Sequence, residues 1–445
     1  MLMQTKAAMC VSRNNFPSDF IWGVATSSYQ IEGAHDVDGR GPSIWDTFCA
    51  QPNAIADGSN GNMACDHYHR FQEDLDLMAS MGVNAYRFSI AWPRVQPMGH
   101  GAWNEAGFAF YERLLSGLEE RGIQAHITLN HWDLPQALQD QGGWAQRETC
   151  DHFVRYALEV GRRFGHRCAS LCTHNEPWVI AILGHELGVF APGDRSRAKA
   201  MQVTHHLLLS HGMALQALRQ AGVRSELGIV LNLSPIYPAS DSEADIQKAQ
   251  LDDGLNARWY LDALFKGQYP QDVLQHLGPD APAYTDADLR VIAQPLDYLG
   301  VNYYTRNFSS SGNPWDVHST GNEVTDMGWE VYPQGLTELL CRLAKDYPVR
   351  RLRVTENGAA FKDQMIDGQV DDERRESYLR EHIVATHQAI ALGAPVDAYF
   401  AWSLLDNFEW ASGYEKRFGL IHVDYATLQR TPKRSAKWYQ QFLKD

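Results

Sequence analysis

Hydrophobic residues recur along the chain with two alternating periods. Short apolar and β-branched runs predict strands, and stretches with apolar residues every three or four positions, such as Phe71, Leu75 and Met78, predict helices. Eight strands are predicted, at residues 21–26, 83–90, 124–130, 168–175, 227–232, 296–303, 352–356 and 396–402. A helix is predicted after each strand, at residues 66–81, 108–118, 153–164, 198–221, 251–265, 336–343, 378–392 and 433–443.

Strict alternation of strands and helices indicates an α/β fold with a parallel sheet and right-handed crossovers. Eight such units predict a single (β/α)8 TIM barrel. The 445 residues exceed the roughly 250 typical of that fold. Four polar, Gly-rich or Pro-rich loops account for the excess, and each follows a strand, so they are expected at the C-terminal face: 33–65, 178–197, 237–248 and 305–333. Residues 16–445 are therefore expected to form one catalytic domain, with 1–15 as a mobile extension.

Composition and charge narrow the class of protein. The chain is 44% hydrophobic and 21% charged, which is ordinary for a globular domain with a large core. A formal charge of −15 argues against nucleic acid or an anionic membrane as a partner. No apolar run reaches the roughly 18 residues of a membrane span, and no signal peptide is evident. Seven cysteines without a Cys-x-x-Cys pair suit reduced thiols, so a soluble, cytoplasmic protein is expected.

Polar and aromatic residues collect where the predicted strands end. Thr355-Glu356-Asn357-Gly358 closes one strand with turn residues, and Asn175-Glu176-Pro177 closes another. A Glu before a turn is often only a surface residue, but two such carboxylates at strand ends of one barrel would face a common cavity. The chain also has 13 Trp and 19 Tyr, and aromatic faces beside hydrogen-bonding groups suit sugars as well as cores. The strand-end set is Gln30, Arg87, His131, Trp132, Asn175, Glu176, Asn302, Tyr304, Glu356, Trp402, Glu409 and Trp410.

This set points to acid–base chemistry on a glycoside rather than to a cofactor. Two opposed carboxylates, one neutral and one ionised, are the groups that cleave glycosidic bonds. Arg87 could keep one carboxylate ionised, and Tyr304 could donate a hydrogen bond to it. His67, His69, His205 and His206 are expected to be surface or core residues rather than metal ligands. No phosphate-binding glycine loop or dinucleotide fingerprint occurs, so no cofactor and no metal are predicted.

Nine motifs in order make the chain resemble glycoside hydrolase family 1, the β-glucosidase and β-galactosidase group. Among them are Trp22-Gly-x-Ala-Thr-Ser-x-Tyr-Gln-Ile-Glu-Gly33, Tyr86-Arg-Phe-Ser-Ile-x-Trp92 and Leu129-x-His-Trp-Asp-Leu-Pro135. The others begin at residues 16, 173, 300, 355, 402 and 414, and the last is Tyr414-x-Lys-Arg-Phe-Gly419. The resemblance implies the same barrel fold and a retaining β-glycosidase that acts on a small β-glucoside or oligosaccharide. Members often assemble, so a homo-oligomer is expected.

The resemblance also implies roles for individual residues. Glu176 resembles the general acid/base and Glu356 the nucleophile, and a separation of about 5–5.5 Å between their carboxyl groups is expected for retention. Arg87 and Tyr304 match residues beside the nucleophile. The resemblance places the remaining candidates in contact with substrate: Gln30, His131, Trp132, Asn175, Asn302, Trp329, Trp402, Glu409, Trp410 and Phe418.

Two alternatives remain within this interpretation. The first is a 6-phospho-β-glycosidase of the same family. The resemblance implies that such an enzyme would have Ser where this chain has Glu409 and Tyr where it has Phe418. An anionic Glu409 would repel a 6-phosphate. A non-catalytic sugar-binding protein would have no use for both Glu176 and Glu356. Arg353 departs from the family pattern. Regular strand alternation would place Arg353 and Glu356 on opposite faces, so Arg353 is expected to point away from the cavity.

Overall fold

Eight parallel strands close into a barrel in the computed structural model, which describes residues 11–312 and 320–445. Each strand pairs with its neighbours in sequence, and the first pairs with the last, through Ala25 opposite Trp402. The predicted TIM barrel is thus confirmed. The strands are β1 Ile21–Ala25, β2 Ala85–Ser89, β3 Gln124–Asn130, β4 Ser170–Asn175, β5 Glu226–Asn232, β6 Tyr298–Asn302, β7 Leu352–Asn357 and β8 Val396–Trp402.

Helices surround the barrel and bury their apolar faces against it. The long helix Arg197–Gln220 begins where the Ser196 hydroxyl accepts a hydrogen bond from the Lys199 backbone N–H (3.3 Å). The helix His67–Met81 is capped by Gly82, whose left-handed φ of 78° favours glycine. The helices that follow the strands are α1 His67–Met81, α2 Glu105–Glu120, α3 Glu148–Phe164, α4 Arg197–Gln220, α5 Trp259–Lys266, α6 Pro333–Asp346, α7 Glu373–Ala391 and α8 Arg434–Lys444.

The predicted loops contain more structure than their composition indicated. Residues 178–197 include a π-helix, Val179–Glu186, and a helix, Glu243–Asp253, begins inside the predicted loop 237–248. Burial of Val179 and Ile180 stabilises the π-helix, although the surrounding Gly and Pro residues favour a loop. Further short helices are Ser28–Ile31, Ile44–Cys49, Trp92–Val95, Gln136–Gln139, Gly254–Arg258, Gln271–Leu277 and Asp286–Ile292, and three strand pairs join Ile236–Pro238 to Asn307–Ser309, Met365–Ile366 to Gln369–Val370, and Ile421–Val423 to Arg430–Pro432.

Strand β7 is irregular, and this corrects one expectation. Its register against β6 shifts between the pair Val301–Val354 and the pair Asn302–Glu356, so simple alternation does not hold. Arg353 lies outside the cavity at the mouth of the barrel, but it is buried inside the barrel wall, where its Nε donates to Asp397 (2.9 Å). The shift breaks the regular alternation, so the expected placement of Arg353 and Glu356 on opposite faces does not hold; Arg353 instead lines a separate small space inside the barrel with His126 and Phe400.

The N-terminal segment is described from residue 11 onward. Val11 packs against the core, and the Asn14 side chain donates a hydrogen bond to the backbone carbonyl of Asp445 (2.7 Å). Residues 1–10 of the predicted extension lie outside the described residues, as do residues 313–319 of the predicted loop 305–333. None of the helices in the described part of the chain is long and apolar enough to cross a membrane.

Candidate active site

A cavity of about 270 Å³ opens at the C-terminal ends of the barrel strands. Gln30, Arg87 and Asn175 lie behind its wall and reach it through hydrogen bonds. Eleven predicted site residues line it directly: His131, Trp132, Glu176, Asn302, Tyr304, Trp329, Glu356, Trp402, Glu409, Trp410 and Phe418.

Glu356, near the end of β7, has both carboxylate oxygens bound by donors. Arg87 Nη1 donates to Oε1 (2.6 Å), and the Tyr304 hydroxyl donates to Oε2 (2.6 Å). The Arg87–Glu356 ion pair is buried, with side chains 3% and 4% exposed. A guanidinium and a phenol both stabilise the ionised form of a carboxyl group. The ion pair with Arg87 and the hydrogen bond from Tyr304 therefore hold the Glu356 carboxylate in a fixed orientation. Gly358 allows close packing here, since a Cβ would come within 1.7 Å of the Trp402 carbonyl oxygen.

Glu176 follows β4 and has a different environment. Its carboxylate accepts one hydrogen bond, from Asn302 Nδ2 (2.6 Å), and it is 5% exposed. Burial, followed by the nearby charge of Glu356, raises the pKa of Glu176 to about 8. The group is therefore protonated at neutral pH, while Glu356 pairs with a guanidinium. The backbone of Glu176 is left-handed, with φ of 49°, a conformation that costs about 1–3 kcal/mol and is found at functional sites.

Asn175 links the two carboxyl groups through its side chain. Its Oδ1 accepts from Arg87 Nη2 (2.6 Å) and from Asn302 Nδ2 (3.1 Å), and its Nδ2 lies 3.2 Å from His131 Nε2. The backbone carbonyl of Asn175 accepts from Trp132 Nε1 (2.9 Å). A shift of any one of these side chains would therefore displace the others. Such a network keeps the reacting groups in place before a substrate arrives.

Glu409, His131 and two tryptophans form a polar and aromatic end of the cavity. Gln30 Nε2 donates to Glu409 Oε2 (3.3 Å), and burial, then the charge of Glu356, raises the pKa of Glu409 to about 8. Burial, then Arg87, lowers the pKa of His131 well below its usual value, so its imidazole is neutral. The His131 ring lies parallel to Trp402 and Trp410, with centroids 6.0 and 6.2 Å apart. Hydrogen-bonding groups beside aromatic faces suit a sugar ring.

The opposite end is lined by residues that sequence reasoning mostly missed. Trp329 was predicted, and its ring lies 5.3 Å from that of Tyr304 and 6.2 Å from that of Phe418. Most of the others lie on long loops, where neither periodicity nor turn chemistry marks them. Asn232, however, ends the predicted strand 227–232 and could have been found as a strand-end residue, and Asn256 and Ala257 lie in the predicted helix 251–265. Only the loop lengths after β4, β5 and β6 indicated that this end would be built by insertions. The missed lining residues are Trp178, Val179, Leu183, Phe190, Asn232, Leu233, Ser234, Ile236, Asn256, Ala257, Thr305, Asn307 and Met327.

The four histidines considered as metal ligands form hydrogen bonds with protein groups, three in the interior and one at the surface. His67 Nδ1 pairs with Asp74 (2.7 Å), His205 Nδ1 lies 2.9 Å from the Tyr269 hydroxyl, and His206 Nδ1 lies 2.8 Å from the Trp144 carbonyl. His69 contacts Asp66 at the surface. Across residues 11–312 and 320–445, no group of three or more His, Cys, Asp or Glu side chains could hold a metal ion.

Comparison with known proteins agrees with this geometry. The model of glycosyl hydrolase family 1 matches residues 12–445. The chain is 46% identical to beta-glucosidase A of Acetivibrio thermocellus, over 98% of this chain and 99% of that protein. It is 45% identical to a beta-glucosidase of Agrobacterium sp., over 95% and 94% of the two chains. The solved structure of the family 1 β-glucosidase from Thermotoga maritima superposes with a TM-score of 0.94 at 42% identity, over 96% and 98%. The chain therefore belongs to glycosyl hydrolase family 1.

Proposed function

We propose that this chain is a retaining β-glucosidase that removes terminal non-reducing β-D-glucosyl residues by double displacement. The observation that supports it is the unequal state of two carboxyl groups in one cavity. Glu356 is bound by Arg87 and Tyr304 as an anion, whereas the pKa of Glu176 is raised to about 8. One group can attack while the other donates a proton, as a retaining mechanism needs.

In the first step, Glu356 attacks the anomeric carbon, and Glu176 transfers its proton to the leaving oxygen. A covalent glycosyl-enzyme forms, and esterification removes the negative charge of Glu356. Because that charge raises the pKa of Glu176, its removal lowers this pKa. Glu176 then accepts a proton from the attacking water, and the sugar leaves with its original configuration. The predicted separation of about 5–5.5 Å between the two carboxyl groups belongs to this proposal.

The other candidates are assigned to recognition of the substrate. Glu409, with Gln30 beside it, would bind the sugar 4- and 6-hydroxyls, and His131, with Asn175 behind it, would bind the 2- and 3-hydroxyl side. Trp402 and Trp410 would close the glycone end with Trp132, Asn302 and Phe418. Trp329 would be the platform for the leaving group. Recognition of galactosyl or fucosyl units by the same residues is part of the proposal.

A 6-phospho-β-glucosidase is the alternative within the family. Among the described residues that line the cavity there is no Lys or Arg to pair with a phosphate, and Glu409 stands at the glycone end. A neutral Glu409 would avoid repulsion but would still supply no cation. Both features support an unphosphorylated sugar. We also propose action in the cytoplasm and a homo-oligomeric state, which cell fractionation and light scattering after size exclusion would test.

The decisive experiment compares p-nitrophenyl β-glucoside with its 6-phosphate and follows the first-formed sugar by proton NMR. Turnover of the plain glucoside with β-glucose appearing first is expected. Activity on the phosphorylated substrate alone would refute the role of Glu409, and α-glucose first would refute retention. Glu356→Ala should abolish turnover, whereas Glu381→Ala, an exposed glutamate on α7, should leave it unchanged. Sugar binding by a wild-type protein that hydrolyses neither substrate would favour the non-catalytic alternative.

A further inference from the structure

A cluster of six charged residues, five of them buried, packs against the loop 403–420, which carries Glu409 and Phe418. Five of the side chains are at most 1% exposed, and that of Arg417 is 20% exposed. Three cations and three carboxylates balance one another, so each charge has an opposite partner inside the protein. This clamp cluster consists of Asp363, Asp372, Arg375, Asp406, Arg417 and Lys433.

Asp406, near the start of the loop 403–420, forms hydrogen bonds with residues near the end of the same loop. Its Oδ2 accepts from Arg417 Nη1 (2.6 Å), and its Oδ1 accepts from the Gly419 backbone N–H (3.0 Å) and from Lys433 Nζ (2.6 Å). Arg417 and Gly419 stand on either side of Phe418, which lines the cavity. The position of Asp406 therefore sets the position of Phe418.

The same carboxylate is three residues from Glu409. Asn407, the next residue, accepts a hydrogen bond from Gln30 Nε2 (3.0 Å), and that nitrogen also lies 3.3 Å from Glu409 Oε2. The Asp406 backbone N–H donates to the Ile421 carbonyl (2.9 Å). A displacement of Asp406 would therefore reach Glu409 through both the backbone and Gln30.

Arg375 extends the clamp to the segment that follows the nucleophile candidate. Its guanidinium donates to the carbonyls of Ala359 (3.1 Å) and Arg417 (2.7 Å), as well as to Asp363 (3.1 Å) and Asp372 (2.5 Å). Ala359 is three residues beyond the Glu356 side chain. The cluster thus ties the segment after β7 to the loop of Glu409.

Lys433, at the start of α8, connects Asp363, in the segment after β7, with Asp406, in the loop 403–420. Its ammonium group contacts both Asp363 and Asp406, and its side chain is fully buried outside the cavity. Without it, Asp363 and Asp406 would lose the cation between them, and the three carboxylates of the clamp cluster would be balanced only by Arg375 and Arg417. We propose that Lys433 is a positioning residue that, through Asp406, holds Glu409 against the glycone hydroxyls. This inference rests on the proposed β-glucosidase function.

The test substitutes Lys433→Met, which keeps the length of the side chain and removes its charge. Lys437→Met, four residues further along α8 and exposed, is the matched control. Both are assayed on p-nitrophenyl β-glucoside and on the β-xyloside, which lacks the 6-hydroxymethyl group. The ratio of kcat/KM for glucoside to that for xyloside should fall about fivefold for Lys433→Met, the value of one ordinary hydrogen bond. It should be unchanged for Lys437→Met.

A coupling measurement separates positioning from general loss of stability. In a Glu409→Gln background, Lys433→Met should change the ratio by less than about twofold, because the interaction that it supports is already gone. An unchanged ratio in the single variant, or an equal fall in both backgrounds, would overturn the inference. If Lys433→Met does not fold, Asp363→Asn is measured in its place with the same expectations. A wild-type protein without β-glucosidase activity would refute both the proposed function and this inference. If the wild type turns over the glucoside normally and the ratio does not respond as expected, only the inference about Lys433 is refuted.

Discussion

Replacing Asn302 by alanine removes the hydrogen bond that the Glu176 carboxylate accepts, and the alkaline limb of the pH–rate profile should move as a result. The bond is 2.6 Å long, and both residues are buried, at 1% and 5% exposed. Because an N–H donor stabilises the ionised carboxylate, its loss raises the pKa of Glu176 further. The protonated acid then persists to higher pH.

The size of the shift follows from the strength of that bond. A hydrogen bond to a charged group is worth about 1.5–3 kcal/mol, and one pH unit corresponds to about 1.4 kcal/mol. Water that enters the space left by the amide would recover part of this energy, so we expect a shift of about one pH unit. The alkaline midpoint of kcat/KM is expected near 8 in the wild type and should rise accordingly in the variant.

The assay is the pH dependence of kcat/KM on p-nitrophenyl β-glucoside, which reports groups of the free enzyme. The absolute value should also fall, because Asn302 donates to Asn175. Asn256→Ala is the control, since Asn256 lines the same cavity but donates to the Asp252 carbonyl. A midpoint that falls or stays constant in Asn302→Ala would show that the limb does not report Glu176 or that this bond is not formed.

Three further predictions concern stability and catalysis. Arg353→Met should lower the free energy of unfolding by about 1–2 kcal/mol in urea titration, because the partly exposed Asp397 and Glu226 lose their shared ion-pair partner; an unchanged value would contradict this. Burial lowers the pKa of His382 to about 3, so below pH 6.5 the unfolded chain binds a proton that the folded chain does not, and stability falls with pH. Between pH 7 and pH 5, His382→Gln should therefore lose about 2 kcal/mol less than the wild type, and parallel losses would exclude the effect. Tyr304→Phe should lower kcat/KM at least about tenfold with an unchanged circular dichroism spectrum, because Glu356 loses a 2.6 Å hydrogen bond; wild-type kinetics would count against that contact.

Strained backbone recurs where the cavity is built. Trp132 and Trp410 share with Glu176 a left-handed φ, at 78° and 49°. Each costs about 1–3 kcal/mol and persists only because surrounding contacts hold it, such as the bond from Trp132 to the Asn175 carbonyl. The strained backbone thus lowers the stability of the fold at three residues whose side chains line the cavity.

The barrel itself followed from local pattern. The strand at 124–130 has the predicted bounds, and that at 396–402 does too, because short apolar runs between loop residues identify buried strands. The helix predicted at 198–221 is observed as Arg197–Gln220. By contrast, the π-helix Val179–Glu186 lies in a predicted loop, since tertiary burial and not local propensity stabilises it.

Sequence by itself determined the strand order, the presence of two carboxylates at strand ends and, through ordered motifs, the family. These depend on residue type and spacing, which are local properties of the chain. Only the tertiary structure decided the hydrogen-bond partners and the burial of those carboxylates. Whether Glu356 pairs with Arg87, whether Glu176 meets Asn302, and whether Lys433 holds Asp406 depend on distances between residues far apart in sequence. Charge, burial and pKa follow from those distances, and no periodicity encodes them.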